Sequence, residues 1–191
     1  MNHFYQNIQG WFTFPNLYTS AVKNATEKAH FVEVGVWKGT SAAYMAVEIA
    51  NSGKDIQFDC VDTWEGSEEH CDHKSHTYEP QLQQKDWLYH TFLKNIEPAK
   101  DYINPVRCDS LTASKRYKDN SLDFVFIDAS HDYDNVLKDI EAWFPKVKQN
   151  GTLAGHDYYH ADVKKAVHDY FDSMGYAIHS QEGCWVTEKA L

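Results

Sequence analysis

Leu122 to Ile127 (LDFVFI) constrains this chain more than any other stretch. Phe124, Val125, Phe126 and Ile127 are apolar at consecutive positions, so both faces of the strand they form must be covered. That is the condition of a central strand in a parallel sheet layered between helices. Strand-like runs recur at residues 30–35 (HFVEVG), 56–62 (IQFDCVD), 103–107 and 152–155. Helix-forming stretches alternate with them at 40–51, closed by Ser52-Gly53, and at 87–96, 111–117, 133–143 and 162–174. The chain closes on YAIHSQEGCWVTEK, two strand-like pieces around Glu182-Gly183 that predict a hairpin. This pattern predicts an α/β fold: a doubly wound, Rossmann-like sheet, mostly parallel, with a C-terminal antiparallel hairpin, in a single domain of residues 1–191.

Two segments stand outside the alternation. Residues 1–29 precede the first strand, and Pro15-Asn16 signals the start of a helix over 17–24 with Trp11 and Phe12 packed ahead of it. Its WFTF run is apolar enough either to enter the core or to join a second copy of the chain in a homo-oligomer. Residues 63–86 are polar and too long for an ordinary strand-to-helix connection, which marks them as a lid-like insertion that selects the substrate. Its histidine-rich part (EEHCDHKSH) matches no familiar structural zinc spacing.

Charge narrows the partners. Eighteen Lys and Arg against 28 Asp and Glu leave a net charge of −10, with no basic cluster to face phosphates. Nucleic acid and anionic membrane surfaces are therefore poor partners. No apolar run reaches membrane length, and the N-terminus lacks the pattern of a signal peptide. The four cysteines include no CxxC and read as free thiols, so the expected location is cytoplasmic.

Ligands of a doubly wound sheet bind beyond the C-terminal strand ends. Strand one ends in Glu33-Val34-Gly35-Val36-Trp37-Lys38-Gly39-Thr40-Ser41, a glycine turn into a helix. Gly35 and Gly39 permit tight turning and close backbone approach, and the helix start with Ser41 offers donors to an anion. The spacing is G-x-x-x-G rather than the dinucleotide pattern, so a carboxylate fits better than a pyrophosphate. Strand two ends in Asp62, placed to accept ribose hydroxyls, with Thr63 and Trp64 next and Trp64 able to cover a bound ligand. At the third strand end, Asp109 or Ser110 can bond an adenine edge or cap the next helix. Strand four ends in Asp128, which can hold a ligand ammonium, a metal or both. His131, three residues on, can take a proton near neutral pH or cap the following helix. His156 and Asp157 at strand five complete an N/O set for a divalent ion beside Asp128.

These strand ends resemble the class I S-adenosylmethionine-dependent methyltransferases, in particular the small branch that includes the catechol and macrocin O-methyltransferases. FVEVGVWKGTSAAYMA resembles the first motif of that family, VDTWEG its acidic ribose motif, and FIDASHDYDNVLKDI the segment around its fourth strand. The resemblance implies S-adenosylmethionine as cofactor. It implies methionine contacts from Gly35, Gly39 and Ser41, a ribose contact from Asp62, and adenine neighbours Asp109 and Ser110. The full expected cofactor set is Glu33, Gly35, Gly39, Thr40, Ser41, Asp62, Thr63, Trp64, Asp109, Ser110 and Asp128. Asp128 and His131 match the metal-binding and proton-accepting positions of the catechol-type members, with His in place of the more usual Lys. Asp128, His156 and Asp157 are then the expected ligands of a metal such as Mg2+. The implied reaction is O-methylation of a small hydroxylated acceptor by direct displacement, with Asp128 and His131 catalytic. The alternatives are an S-adenosylmethionine-binding protein without catalysis and, disfavoured by glycine spacing and the hairpin, an NAD-dependent oxidoreductase.

Overall fold

The computed structural model describes residues 1–189. Seven strands form one sheet: β1 (His30–Val34), β2 (Gln57–Asp62), β3 (Asn104–Arg107), β4 (Leu122–Ile127), β5 (Val147–Gly155), β6 (His179–Gln181) and β7 (Cys184–Glu188). Seven helices accompany them: α1 (Pro15–Asn24), α2 (Thr40–Ser52), α3 (Glu68–Cys71), α4 (Trp87–Ile96), α5 (Ser110–Ser114), α6 (Tyr133–Trp143) and α7 (Ala161–Phe171). The strand order is β3-β2-β1-β4-β5-β7-β6. The first five strands are parallel, and β7 runs antiparallel between β5 and β6. The doubly wound sheet with an antiparallel C-terminal edge is therefore the architecture present. Strand order reverses direction between β1 and β4, which opens the crevice where such sheets take ligands.

The period of two in β4 divides the core. Phe124 and Phe126 face one layer with Phe31, Tyr18 of α1, Met45 of α2 and Phe92 of α4. Val125 and Ile127 face the other with Ile140 and Trp143 of α6, Val167 and Phe171 of α7, and Trp185 of β7. Both layers are buried, so the all-apolar run seen in the sequence is satisfied on each face.

Boundaries move where side chains alone carry little signal. Strand five begins at Val147 rather than 152: Val147 pairs with Leu122 and Thr152 with Phe124, and the polar residues 148–151 bulge out between the two pairs. The helix after β3 stops at Ser114, short of 117, and α7 ends at Phe171, followed by a 3-10 turn and the left-handed Gly175. The N-terminal segment belongs to the core. Phe14 is fully buried, while Trp11 stays exposed. The start of α1 is capped from the far end of the chain: Asn16 Nδ2 and Leu17 N donate to the Glu182 carboxylate at 2.6 and 3.2 Å. That carboxylate satisfies a free N–H of the helix start and holds the segment against the terminal hairpin.

Candidate active site

A cavity of about 390 Å³ opens beyond the C-terminal ends of β1, β4 and β5. This size is at the small end of ligand pockets. The turn after β1 forms its floor. Gly35 has φ +85°, and a Cβ there would lie 2.1 Å from the Asp128 carbonyl oxygen, so β1 and β4 meet at a point only glycine permits. Gly39 caps α2 with φ 90°, and its missing Cβ admits Phe92. Thr40 and Ser41 at the head of α2 face the cavity. Trp37, Trp64 and Asp157, in the turns after β1, β2 and β5, have positive φ although none is glycine.

Under this turn two acids are held without a side-chain cation. Ser41 Oγ donates to Glu33 Oε1, while Glu33 Oε2 is buried with no partner. Burial pushes the Glu33 carboxyl up to about 8, against the pull of the Ser41 hydrogen bond. Asp62 Oδ2 accepts from Val36 N and Trp37 N at 2.9 and 3.0 Å, and Oδ1 accepts from Trp64 N at 2.7 Å. Burial raises its pKa, and those three backbone donors hold the rise down.

Across the cavity the acids meet imidazoles. His131 Nε2 lies 2.8 Å from Asp157 Oδ2. His156 Nδ1 sits 3.4 Å from Asp157 and 3.6 Å from Asp128, and its Nε2 is 3.2 Å from Thr13 Oγ1 of the N-terminal segment. The hydrogen bond to Asp157 raises the His131 pKa over the opposing effect of burial. Burial alone would depress His156, but Asp128 and Asp157 outweigh it and carry it up to about 10. Burial works to raise Asp157, yet His131, His156 and Tyr159 hold it well below the usual carboxylate range. Asp128 is raised by burial, partly offset by His156. Donor atoms of Asp128, His131 and Asp157 lie within 4.8 Å of one another, a spacing that suits a divalent ion. The expected ion set named His156 as the nitrogen donor, whereas the compact set contains His131.

The structure brings together Gly35, Thr40, Ser41, Asp128, His131, His156 and Asp157 on the cavity wall and leaves other expected residues off it. Trp64 is a core residue rather than a cover. It is 2% exposed, packs on Phe92 and Tyr89, and donates from Nε1 to the Trp37 carbonyl. Thr63 Oγ1 accepts from Glu65 N within its own loop. Asp109 caps α5 through Thr112 N at 2.9 Å. Ser110 donates to Asp139 at 2.5 Å and accepts from Trp143 Nε1 at 2.8 Å. Asp62 points under the turn, its oxygens engaged by backbone N–H. His131 caps no helix; Asp132 does that for α6.

Residues 63–86 lie over the cavity. Glu69, His70, His76 and Thr77 line it, and His70 stacks on Trp37 with ring centroids 4.0 Å apart. Lys38, buried between Trp37 and Trp87, bonds both Glu79 of this segment and Gln9 of the N-terminal one. Trp11, Thr13, Tyr159 and His160 also line the cavity and were not among the expected residues. Tyr159 and His160 follow Asp157 by two and three residues, so reading five residues past the fifth strand end at Gly155 would have found them. Trp11 carried no such signal.

A seven-stranded doubly wound sheet with a glycine turn and acidic strand ends around one crevice defines a class I methyltransferase fold. A family model described as "Methyltransferase domain" matches residues 32–158, and the chain belongs to that family. The solved structure of the O-methyltransferase NovP superposes with a TM-score of 0.67 at 15% identity, over 93% of this chain and 79% of that one. A putative methyltransferase of Streptococcus mutans, solved in complex with S-adenosylhomocysteine, gives 0.62 at 9% identity, over 95% and 99%. Aeropyrum pernix fibrillarin with natively bound S-adenosylmethionine gives 0.55 at 12%, over 91% and 73%. The uncharacterized protein y4gI of Sinorhizobium fredii (strain NBRC 101917 / NGR234) is 26% identical over 136 residues, 70% of this chain; the chain spans 14% of that relative's length. Among the described residues no helix is long and apolar enough to cross a membrane.

Proposed function

We propose that this chain transfers the methyl group of S-adenosylmethionine to a hydroxyl of a small acceptor, with His131 as the base. The observation that carries the reading is the 2.8 Å His131–Asp157 pair on the wall of the cavity that also holds Gly35 and Asp128. A sulfonium methyl is already activated. The S–CH3 bond breaks as the O–CH3 bond forms, and the departing thioether is neutral. The protein has to align the acceptor oxygen behind the methyl carbon and take its proton. In the tautomer whose Nε2–H donates to Asp157, Nδ1 of neutral His131 is free to accept that proton, and the Asp157 carboxylate steadies the resulting imidazolium.

The donor set fits the cofactor. Asp128 on the wall is an acceptor for the ammonium of a ligand that also carries a sulfonium. Asp62, Asp109 and Ser110 lie off the cavity wall, so ribose and adenine contact there would need the segment over the cavity to move. Residues 63–86 then act as a lid. A divalent metal is a separable element: Asp128 and Asp157 with His156 or His131 would hold it, and it would supply acceptor orientation and a lowered hydroxyl pKa. Four free cysteines support a cytoplasmic, reducing setting.

The test is the melting temperature with S-adenosylmethionine, S-adenosylhomocysteine and NAD in parallel, each with and without Mg2+. A ligand at about 100 times its Kd adds ~2.7 kcal/mol, a shift of several degrees. A rise with both sulfur nucleosides and none with NAD supports the reading. A rise with NAD alone, or none at all, overturns it.

A further inference from the structure

The mechanism leaves one buried cation unused. Lys38 stands in the glycine turn after β1, yet it does not line the cavity. It is 3% exposed and is the only Lys or Arg buried among the described residues. A lysine that deep needs partners for its ammonium. Here they come from two segments far apart in the chain. Nζ donates to Gln9 Oε1 of the N-terminal segment at 2.7 Å, and to Glu79 Oε2 of the segment over the cavity. The rings of Trp37 and Trp87 flank it, with centroids 5.2 and 5.1 Å from Nζ. The Lys38 carbonyl accepts from Asn95 Nδ2 of α4 at 2.9 Å, so α4 fixes the backbone that carries the ammonium.

Each partner is tied to residues that do line the cavity. Glu79 N donates to the His70 carbonyl at 2.9 Å, and the His70 ring stacks on Trp37. Gln9 precedes Gly10 and Trp11 on the wall. A Cβ on Gly10 would lie 2.4 Å from Thr40 Oγ1, so this segment sits directly on the head of α2. The two segments also meet at the surface, where Trp11, 59% exposed, has its ring centroid 6.4 Å from that of His70.

We propose that Lys38 is a positioning residue that fastens both covers of the cavity to the glycine turn, so that residues 63–86 and the N-terminal segment open and close as one unit. Lifting residues 63–86 removes Glu79 and leaves a buried ammonium without its counter-charge. Lifting the N-terminal segment admits water to the ion pair and weakens it by raising the local dielectric. Either movement therefore favours the other. On the methyl-transfer reading, joint closure shuts water out around the acceptor hydroxyl from two sides. The coupling itself stands on Lys38, Gln9 and Glu79 and holds for whatever ligand the cavity takes.

Hydrogen exchange of the full chain, read by mass spectrometry on peptides covering residues 1–14 and 63–86, tests the coupling. Gln9→Ala changes one exposed side chain. It should speed exchange about fivefold or more in its own segment and also in residues 63–86, and Glu79→Ala should do the same in the opposite direction. Lys38→Met should loosen both segments, and adding Gln9→Ala to it should change nothing further in residues 63–86. In a Trp11→Ala background, which removes the surface contact, Gln9→Ala should still loosen residues 63–86. Loosening confined to the segment that carries the substitution overturns the proposal. So does transmission that survives Lys38→Met or is abolished by Trp11→Ala. Gln9→Ala and Glu79→Ala, alone and with Trp11→Ala, decide the matter even if Lys38→Met does not fold. Failure of the chain to bind S-adenosylhomocysteine is a different result, which removes the methyl-transfer reading and leaves this coupling standing.

Discussion

The two rims of the cavity solve one problem in opposite ways. Each places carboxylates at strand ends where burial penalises their charge. On the β1–β2 rim, Glu33 and Asp62 are held by a hydroxyl and by backbone N–H groups, so no side-chain cation shares the charge. Glu33 there keeps its own proton up to about 8. On the β4–β5 rim, Asp128 and Asp157 face His131 and His156, so the protons reside on imidazoles and Asp157 is ionised. The first rim is shape built from backbone; the second is a proton-exchanging surface. On the proposed reading, the first rim would bind and the second would react.

The comparison breaks most visibly at His131. Replacement by Ala should lower turnover about 10²- to 10⁴-fold, the range of a lost general base, and leave S-adenosylhomocysteine affinity intact. Turnover within a few-fold of wild type in a steady-state assay would remove the base from the second rim. Gly35→Ala tests the joint between the rims. Its Cβ would meet the Asp128 carbonyl at 2.1 Å, and its φ is +85°. About 3 kcal/mol of stability should be lost together with cofactor binding, read by denaturant titration and calorimetry.

Glu33→Gln sharpens the contrast on the first rim. The folded-state value of about 8 lies above the usual carboxylate range, so this group's stability contribution is complete below about pH 4 and is lost as pH rises through about 8. The Gln variant should match wild type near pH 4 and exceed it by about 2–3 kcal/mol near pH 9 in urea titrations. A constant difference across pH would show that Glu33 is not the titrating group. Asp139, outside both rims, supplies the smaller control. Burial carries it up to about 6, with Ser110 pulling the other way. Asp139→Asn should stabilise by about 1–2 kcal/mol near pH 7 and by nothing near pH 4. Melting curves at the two pH values read this directly.

Much of the fold was legible because its signals are local. Leu122–Ile127, Trp87–Ile96 and Tyr133–Trp143 have the bounds expected from their periodicity, and Glu182-Gly183 turns the hairpin. Strand ends place Gly35, Ser41, Asp128, His131, His156 and Asp157 on one crevice, because a parallel sheet sends all its C-terminal ends to one side. Residues near the second and third strand ends were less legible. A strand-end acid advertises a ligand and a helix cap with the same letters, and Asp109 is a cap here. Trp64 is as apolar as a core residue and as flat as a ligand cover; only its packing against Phe92 and Tyr89 shows that it is core.

From the sequence alone came the layered sheet, the glycine-floored crevice and an acidic, histidine-bearing rim, all written in spacings of two to four residues. Tertiary structure decided which partner each group took: His131 for Asp157, Thr13 for His156, Glu182 for the start of α1, His70 for Trp37. The Thr13–His156 and Leu17–Glu182 pairs join residues more than 100 positions apart in the chain. Periodicity states which face a residue occupies; only the packing of the layers brings those faces together.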